Sequence, residues 1–258
     1  MVEHSHIVSD LTAESNASNA WNDSAEAWIA ELGAEGDYGR RYVLDPPMIE
    51  RVRSQHFDVA LDVGCGEGRF SRIMQRQGVR TVGIDPTEAM IRRARQLDPG
   101  GEYRLGRAEM LDFADSSFDL VVSYLSLIDI HDLSCALTNM IRVLRPGGTL
   151  LIANLTSFNT AAMPEGWVRD SDGKPRFCID HYLDERAVWV SWRGIRVQNW
   201  HRPLSTYMSL LLEAGMQLLH FCEPAPTGGD PKKADRYRRV PYFHIMEWRK
   251  AAINSAVS

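Results

Sequence analysis

The sequence predicts an α/β protein built on a parallel, doubly wound sheet, and three observations carry this prediction. Short β-prone runs alternate along the chain with amphipathic segments of about 10–15 residues, which is typical of strand–helix units. Two of the runs, 118–126 and 149–155, are almost continuously apolar, as strands covered by helices on both faces are. A glycine-rich segment, GCGEG at 64–68, stands between the first run and the first helical stripe of this region. The crossovers between such strands are expected to be right-handed.

Residues 1–56 are predicted to form an N-terminal arm followed by a helical cap. Residues 1–18 are polar and aperiodic, which indicates a loose arm. Apolar residues then recur at the spacing of one helical face, which is formed by Trp21, Ala25, Trp28, Ile29 and Leu32. Gly33 is placed to end this helix, and another helix is predicted after the Pro46–Pro47 pair.

Residues 57–154 contain the alternating units and form the predicted core. The β-prone runs are 58–63, 80–85, 102–108, 118–126 and 149–155. The helical stripes between them are 70–78, 86–97 and 136–148. Each stripe places apolar side chains three or four residues apart, so each helix is expected to bury one face against the sheet.

Residues 155–202 break this rhythm and are predicted to be an insertion on the substrate side. The segment VWVSWRGIRVQNW is expected to be a hairpin that turns at Arg193–Gly194. Residues 203–258 then supply the last helix, which Gly215 ends, and two closing strands at 216–221 and 242–248. The segment 223–240 between them is predicted to be a solvated loop. We therefore expect one domain over residues 1–258.

Composition and charge exclude several classes of function. The chain is 44% hydrophobic and 24% charged, which is ordinary for a globular protein, and its net charge is −5. This balance argues against nucleic acid or an anionic membrane as the principal partner, and no apolar run approaches the ~18 residues of a membrane span. The start of the chain lacks a secretory pattern, and a cytoplasmic protein with free thiols is expected. No metal site is predicted, because the cysteines and histidines show no ligand-like spacing.

The glycine loop indicates a nucleotide site. A strand, a glycine-rich turn and a helix bring a ligand against backbone amides in doubly wound folds. The spacing here, G-x-G-x-G, fits neither the dinucleotide fingerprint nor a P-loop, and no lysine follows to hold a triphosphate. Asp85 ends the next predicted strand, where an acid can accept hydrogen bonds from both hydroxyls of a ribose. The site therefore suits a nucleoside less anionic than a pyrophosphate, and a purely structural turn is the alternative.

Four segments together resemble the class I S-adenosylmethionine-dependent methyltransferases: LDVGCGEG, VGIDPTEAM, FDLVVSYLSL and RVLRPGGTLLIA, in that order. The resemblance covers the core, 57–154, which would then be the cofactor-binding region. It implies a Rossmann-like, mostly parallel seven-stranded sheet whose last strand is antiparallel. It also implies an enzyme that uses S-adenosylmethionine as its methyl donor.

The resemblance assigns expected contacts residue by residue. The segment along the methionine part of the cofactor is matched by Asp62, Gly64, Cys65, Gly66 and Gly68. The acid that binds the ribose hydroxyls is matched by Asp85, and the adenine region by Pro86, Met90, Ala108 and Glu109. The end of the fourth strand, beside the methyl group, is matched by Ser123 and Tyr124. Many relatives have an aspartate at the position of Arg107, which cannot accept a hydrogen bond, so Glu109 or a backbone carbonyl is left for the adenine amino group.

Candidate substrate contacts come from the cap and the insertion. In the cap they are Trp28 and Tyr38, and Arg41 either meets the cofactor's carboxylate or is a solvated surface charge. The segment NWHRPLSTY, 199–207, resembles one found in a subset of small-molecule methyltransferases. Its His201 is predicted to be a general base, with a loop-fixing hydrogen bond as the alternative. The other candidates are Asn154, His181 and Tyr207.

The resulting hypothesis is a methyltransferase that acts on a nitrogen or oxygen of a small organic molecule, such as a secondary metabolite. An RNA or protein methyltransferase with the same core is the alternative. The intact loop with Asp85 disfavours a non-catalytic binding module, and the glycine spacing disfavours a nicotinamide-dependent dehydrogenase. The acceptor, the use of a general base and the oligomeric state are left open.

Overall fold

The computed structural model describes residues 20–33 and 35–252, so the predicted arm at 1–18 lies outside the described residues. A seven-stranded sheet forms its centre, in the order β10-β11-β5-β4-β1-β2-β3. Its strands are β1 (Val59–Val63), β2 (Arg80–Asp85), β3 (Glu102–Leu105), β4 (Phe118–Tyr124), β5 (Leu144–Leu155), β10 (Met216–Cys222) and β11 (Phe243–Lys250). Strand β11 pairs antiparallel with both β5 and β10, whereas β1 to β5 pair in parallel. The predicted sheet with an antiparallel last strand is confirmed.

Helices cover both faces of this sheet. They are α1 (20–32), α2 (Asp45–Arg53), α3 (Arg69–Gln75), α4 (Glu88–Leu97), α5 (Leu133–Val143), α6 (Ser157–Ala161), α7 (Leu204–Glu213) and α8 (Pro231–Arg239). A short π-helical turn, Arg40–Leu44, leads into α2, whose first turn contains Pro46 and Pro47. Proline suits that position because the first amides of a helix have no intrahelical partner.

The alternation of side chains along the strands divides the core into two layers. Leu61 of β1 packs in a cluster with α5 and α7, whereas its neighbour Ala60 packs in a second cluster with α2 and α3. Each fully buried leucine or methionine in these layers contributes roughly 1.5–3 kcal/mol relative to an exposed position. The carboxyl ends of β1, β2 and β4 therefore sit on a rigid support, and ligand sites of such sheets lie at that edge.

The N-terminal cap is fastened to this edge by a buried charge cluster. The Asp45 carboxylate accepts hydrogen bonds from the Arg69 guanidinium and, at 2.8 Å, from the Tyr124 hydroxyl. Asp45 opens α2, Arg69 opens α3 and Tyr124 ends β4. The three groups therefore join the cap, the helix after the glycine loop and the sheet.

The insertion contains two small antiparallel pairs. Strand β6 (Trp167–Arg169) pairs with β7 (Pro175–Phe177), and β8 (Arg186–Trp192) pairs with β9 (Ile195–His201). The β8–β9 turn lies at Arg193 and Gly194, with φ angles of 45° and 83°, which is the conformation that two-residue hairpins require. The predicted hairpin is confirmed.

The segment 223–240 is not the loop that the sequence predicted. It contains α8, which Asp230 caps by accepting hydrogen bonds from the amides of Lys232 (2.7 Å) and Lys233 (3.1 Å). The insertion is thus followed by two helices rather than by a single last one. No described helix is long and apolar enough to cross a membrane. Within 20–33 and 35–252, no cluster of three or more His, Cys, Asp or Glu side chains is arranged to hold a metal ion.

Candidate cofactor cleft and acceptor cavity

The glycine loop follows β1, and its three glycines all have positive φ angles, 74°, 56° and 78° for Gly64, Gly66 and Gly68. A Cβ atom on Gly64 would lie 2.3 Å from the Cβ of Ser126, and one on Gly68 would lie 2.6 Å from the ring of Tyr103. A Cβ on Gly66 would meet no protein atom within 4 Å. Gly66 is therefore the bare position that faces open space, where a ligand can approach the backbone.

Asp85 ends β2 directly beside this loop. Its Oδ2 accepts the amide of Gly66 at 2.9 Å, and its Oδ1 accepts the amide of Thr87 at 2.8 Å. A carboxylate oxygen has two lone pairs, so each oxygen keeps one free acceptor position. Burial raises the pKa of this carboxyl, although the two amide bonds act in the opposite direction. Two adjacent hydroxyl groups are the natural donors for such a fixed pair of acceptors.

Asp62, within β1, supplies a second buried acceptor. The Ser71 hydroxyl donates to its Oδ2 at 2.6 Å, whereas its Oδ1 is buried and has no hydrogen-bond partner. Burial raises the pKa of Asp62 to about 7, and the negative charges of Glu67 and Asp85 add to this effect. An unpaired buried acceptor destabilises the protein, so a hydrogen-bond donor on a bound ligand would stabilise this oxygen.

These groups line one cleft with a cavity volume of about 270 Å³. Beyond Asp85 the cleft is walled by Pro86, Met90 and Ala108, which form an apolar slot. Glu109 also lines it, and its carboxylate lies 3.3 Å from the Arg107 guanidinium. The cleft thus offers an apolar slot at one end, a pair of acceptors in the middle and a lone acceptor beyond the glycine loop.

A second cavity of about 760 Å³ opens beside the cleft, under α1, the insertion and α8. Its walls are rich in aromatic rings: Trp21, Trp28, Trp167, Phe177, Trp192, Tyr237, Tyr242 and Phe243. The rings of Trp21 and Trp28 meet edge-on at 5.3 Å, and Trp28 meets Trp192 at 6.2 Å. Such walls suit a planar or apolar ligand, because stacked rings bury much area at little entropic cost.

Comparison with known proteins decides the family. A family model described as a methyltransferase domain matches residues 61–152. A malonyl-[acyl-carrier protein] O-methyltransferase of Pectobacterium atrosepticum is 30% identical over 195 residues, which cover 66% of this chain and 76% of that protein. The chain belongs to the class I S-adenosylmethionine-dependent methyltransferases.

Two further comparisons agree with this membership. The structure of an S-adenosylmethionine-dependent methyltransferase from Mesorhizobium loti has a TM-score of 0.72 and 26% identity, covering 84% of this chain and 100% of that one. The malonyl-[acyl-carrier protein] O-methyltransferase of Serratia marcescens is 28% identical over 61% of this chain, and the chain spans 60% of its length. The protein is thus a methyltransferase whose cofactor is S-adenosylmethionine.

Most of the residues predicted for the cofactor of this methyltransferase lie together in the cleft. They are Asp62, Gly64, Cys65, Gly66, Asp85, Pro86, Met90, Ala108, Glu109 and Tyr124. Three others, Gly68, Ser123 and Arg41, do not line it. Gly68 packs beneath the Tyr103 ring and precedes α3, and the fully buried Ser123 hydroxyl lies 2.7 Å from that of Ser126. Ser126, three residues further on, lines the cleft in place of Ser123.

The cap contributes Arg40 rather than its neighbour Arg41. The Arg41 side chain is exposed against the Tyr42 ring and lies outside the cleft, which agrees with the alternative of a surface charge. Tyr38 lines neither cavity: its hydroxyl donates to the Gly228 carbonyl at 2.9 Å and its ring packs on Tyr42. Trp28, in contrast, lines both cavities.

The structure places His201 in the interior of the insertion. It ends β9, is completely buried and lies outside both cavities. Its Nδ1 lies 2.7 Å from the Thr160 hydroxyl and its Nε2 lies 2.8 Å from the Tyr182 carbonyl, so both ring nitrogens are engaged. Burial lowers its pKa. The loop-fixing alternative describes its contacts.

The remaining substrate candidates also lie away from the cavities. Tyr207 and Asn154 are buried, and the Asn154 amide lies 3.3 Å from the Tyr207 hydroxyl, in the contact between α7 and the sheet. His181 is exposed, and its Nδ1 lies 2.8 Å from the carboxylate of Asp184. The structure therefore does not bring these three residues together with the cleft or the second cavity.

The two cavities meet at a shared wall, which we call the junction: Trp21, Trp28, Leu32, Arg40, Leu125 and Asp129. The Arg40 guanidinium lies over the Trp28 ring at 4.9 Å and pairs with Asp37 at 2.6 Å. Asp129, which follows β4, is not among the candidates that the sequence predicts. The signal available was its place just beyond the carboxyl end of a strand, where ligands bind in such sheets.

The Asp129 carboxyl is held in a partly buried position at the junction. Asn199, on the inward face of β9, donates its amide hydrogen to Asp129 Oδ1. Burial raises the pKa of Asp129 to about 8, and the negative charge of Asp85 across the cleft acts in the same direction. At neutral pH this carboxyl is therefore mostly protonated in the protein without a bound ligand.

Proposed function

We propose that this methyltransferase transfers a methyl group from S-adenosylmethionine to a nitrogen or oxygen of a small organic molecule bound in the second cavity. The observation that carries the proposal is the junction: an aromatic-walled cavity of about 760 Å³ meets the cofactor cleft along one shared wall. Methyl transfer needs the nucleophile about 3 Å from the methyl carbon and in line with the leaving sulfur. A molecule seated in the second cavity meets the cleft where such an approach is feasible.

The cleft's polar groups match the cofactor part by part. Asp85 would accept the two ribose hydroxyls on its free lone pairs, and Asp62 Oδ1 would accept a hydrogen from the ammonium of the methionine part. The adenine would lie in the slot beside Met90, with the bare backbone at Gly66 against the sugar and methionine. When bound, the cofactor supplies a methyl group already activated by its sulfonium.

The residues of the second cavity favour a compact acceptor. The rings of Trp28 and Trp192 form one wall, and the Arg236 guanidinium lies over the Trp167 ring at 5.2 Å on another. Rings and a stacked guanidinium hold flat molecules by dispersion and cation–π attraction.

The relatives' names provide a second candidate, a malonyl group carried on a protein. One observation favours a protein-borne acceptor: α8 borders the second cavity through Arg236 and exposes Lys232, Lys233, Arg238 and Arg239. Such a basic helix beside the cavity suits an acidic carrier whose attached acyl group reaches inside. The small-molecule proposal predicts turnover without a carrier, so the two candidates are separable.

The test compares acceptors with one preparation of the protein. It is incubated with S-adenosylmethionine and, separately, with small phenols and amines, with a malonyl-carrier protein and with transfer RNA. Formation of S-adenosylhomocysteine and the mass of the methylated product are measured. We expect turnover of at least one class of small acceptor; cofactor binding with methylation of the carrier or of RNA alone would overturn the proposal.

A cavity-filling variant localises the acceptor. Asn159 lines the second cavity but not the cofactor cleft, so Asn159→Trp is expected to abolish turnover of small acceptors and leave the affinity for S-adenosylhomocysteine unchanged. Leu183→Trp is the matched control, because Leu183 is 77% exposed and lies in neither cavity. Equal turnover in both variants would show that the acceptor binds elsewhere.

A further inference from the structure

We propose that Asp129 is a catalytic residue, the group that takes the acceptor's proton during methyl transfer. This inference rests on the proposed function, because it assumes that the acceptor occupies the second cavity. Asp129 would then have the role of general base that the sequence predicts for His201.

The reaction must take place at the junction of the two cavities. The cofactor lies in one cavity and the acceptor in the other, so the sulfur, the methyl carbon and the nucleophile must form their line across the junction. A base must lie within hydrogen-bond reach of the nucleophile, so it must belong to the junction or be bridged to it by one water.

The junction residues differ in whether they can accept a proton near neutral pH. Trp21, Trp28, Leu32 and Leu125 carry no group that titrates near neutral pH. The Arg40 guanidinium remains protonated in proteins and has no acceptor atom. Asp129 is thus the one proton acceptor among the described residues that line both cavities.

Hydrogen bonds hold both the backbone and the carboxyl of Asp129 in place. Its amide donates to the Ser126 carbonyl at 3.1 Å, which fixes a turn directly after β4. The Asn199 amide, on β9, donates to one carboxyl oxygen. The turn after β4 therefore fixes the backbone of Asp129, and a side chain from another element orients its carboxyl.

The proton balance is simple. The nucleophile X–H attacks the methyl carbon, the X–C bond forms and the C–S bond breaks with its electron pair remaining on sulfur. The X–H proton passes to the Asp129 carboxylate. The products are the methylated acceptor, neutral S-adenosylhomocysteine and protonated Asp129, which then releases its proton to solvent.

The surrounding charges explain how an acid that is protonated in the free protein serves as a base. The pKa of Asp129 is raised to about 8 by burial and by Asp85, while Arg40 acts against them. A bound sulfonium adds a positive charge and therefore lowers this pKa towards neutrality. The loss of that charge on transfer raises it again, which favours keeping the transferred proton.

Other titratable groups face the same space, and a test must distinguish their titration from that of Asp129. Asp62 and Glu67 lie on the glycine-loop side of the cleft, and His131 lines the wall beyond Asp129. Glu31, Asp37, Glu165 and Arg236 line the second cavity. A single substitution at Asp129 removes its own titration and leaves all of these in place.

The first experiment needs no acceptor. The affinities for S-adenosylmethionine and S-adenosylhomocysteine are measured by calorimetry from pH 6 to 10, because only the first ligand carries the sulfonium charge. If binding lowers the Asp129 pKa by about one unit, the affinity ratio between the two ligands rises about tenfold across this range. Asp129→Asn is expected to remove that rise, whereas Asp132→Asn is expected to keep it.

Asp132 is a matched control because it lies three residues away, lines neither cavity and only caps α5 by accepting the amide of Cys135. Asparagine is an equally good cap. A ratio that rises equally in the wild type and in Asp129→Asn would overturn the proposal, because the carboxyl would not face the sulfonium.

The second experiment tests proton removal. Asp129→Asn is expected to lower kcat by about 10²–10⁴-fold for an acceptor whose X–H is protonated at the assay pH, with cofactor affinity at low pH unchanged. The loss should shrink to a few-fold for a phenol that is already ionised at that pH. An equal loss for both acceptors would assign Asp129 a merely structural role. Failure of every small acceptor in the wild type, with the binding result as expected, would instead reject the proposed acceptor class.

Discussion

Replacing Gly66 by alanine separates the need for a bare backbone from the need for a positive φ. Gly66 has a φ of 56°, and a Cβ there meets no protein atom within 4 Å. Gly64 has a similar φ of 74°, but its Cβ would lie 2.3 Å from Ser126. The two alanine variants therefore share the same backbone penalty and differ in what the new methyl group meets.

The magnitudes follow from these contacts. Placing a non-glycine residue in the left-handed region costs roughly 1–2 kcal/mol, and this is the whole expected loss of stability for Gly66→Ala. Gly64→Ala adds an overpacking cost of about 1–3 kcal/mol, because Ser126 is held by its hydrogen bond to the Val63 carbonyl at 2.6 Å. For a chain of this size each kcal/mol lowers Tm by about 2–4 °C.

Gly66→Ala, the variant that loses less stability, should lose more affinity for the cofactor than Gly64→Ala. The methyl group of Gly66→Ala projects into the space assigned to the cofactor, so we expect at least a tenfold loss of affinity for S-adenosylhomocysteine despite the milder destabilisation. Urea unfolding gives the stabilities, and calorimetry below the unfolding range gives the affinities. Unchanged affinity in Gly66→Ala, or a destabilisation equal to that of Gly64→Ala, would refute the reasoning about this loop.

Three further outcomes are expected. Asp85→Asn places an NH₂ group against a backbone amide and removes a charged acceptor, so the affinity for S-adenosylhomocysteine in calorimetry should fall about 10–150-fold. Asp45→Asn leaves the largely buried Arg69 without its charge partner and weakens the Tyr124 bond, so the free energy of unfolding in urea should fall by about 3–5 kcal/mol. Burial lowers the pKa of His244 from 6.5 to about 4, so its neutral form stabilises the fold fully above pH 6.5 and this stability is lost as the pH falls towards 4. The loss corresponds to about 3 kcal/mol, and a His244→Phe variant should lack that part of the acid slope in urea titrations.

The core could be predicted from the sequence because its signals are local. The apolar strands, the helical stripes and the glycine loop each occupy a short stretch, and their order alone predicts the sheet. Asp85 was found for the same reason, since it ends a strand next to the loop. The hairpin turn at Arg193–Gly194 was likewise anticipated, because this dipeptide stands between two β-prone runs.

The acceptor side could not be predicted because it depends on contacts distant in sequence. His201 was placed on a loop, but it is the last residue of β9, where alternation with Val197 and Asn199 turns its side chain inward. Asp129 and Asp132 look alike in the sequence, and only the fold shows that one lines the junction and the other caps a helix.

Helix α8 was missed because nearly all of its side chains are polar. Five of its nine residues are basic and it has no stripe of apolar side chains, so hydrophobic periodicity predicts a solvated segment rather than a helix. Its order comes from the Asp230 cap, from buried Ala234 and from cationic side chains lying on rings, such as Lys233 on Tyr38 and Arg239 on Trp167. None of these partners is a neighbour in the sequence.

The second cavity is walled largely by segments that lie outside the matched domain at 61–152. The segment 155–177 and α8 border the second cavity but not the cofactor cleft, so substitutions there leave the loop and the strand ends at Gly66 and Asp85 in place. On the proposed assignment of the two cavities, one donor site can therefore be combined with different acceptor walls. Exchanging these two segments between relatives is then expected to give enzymes with new acceptors.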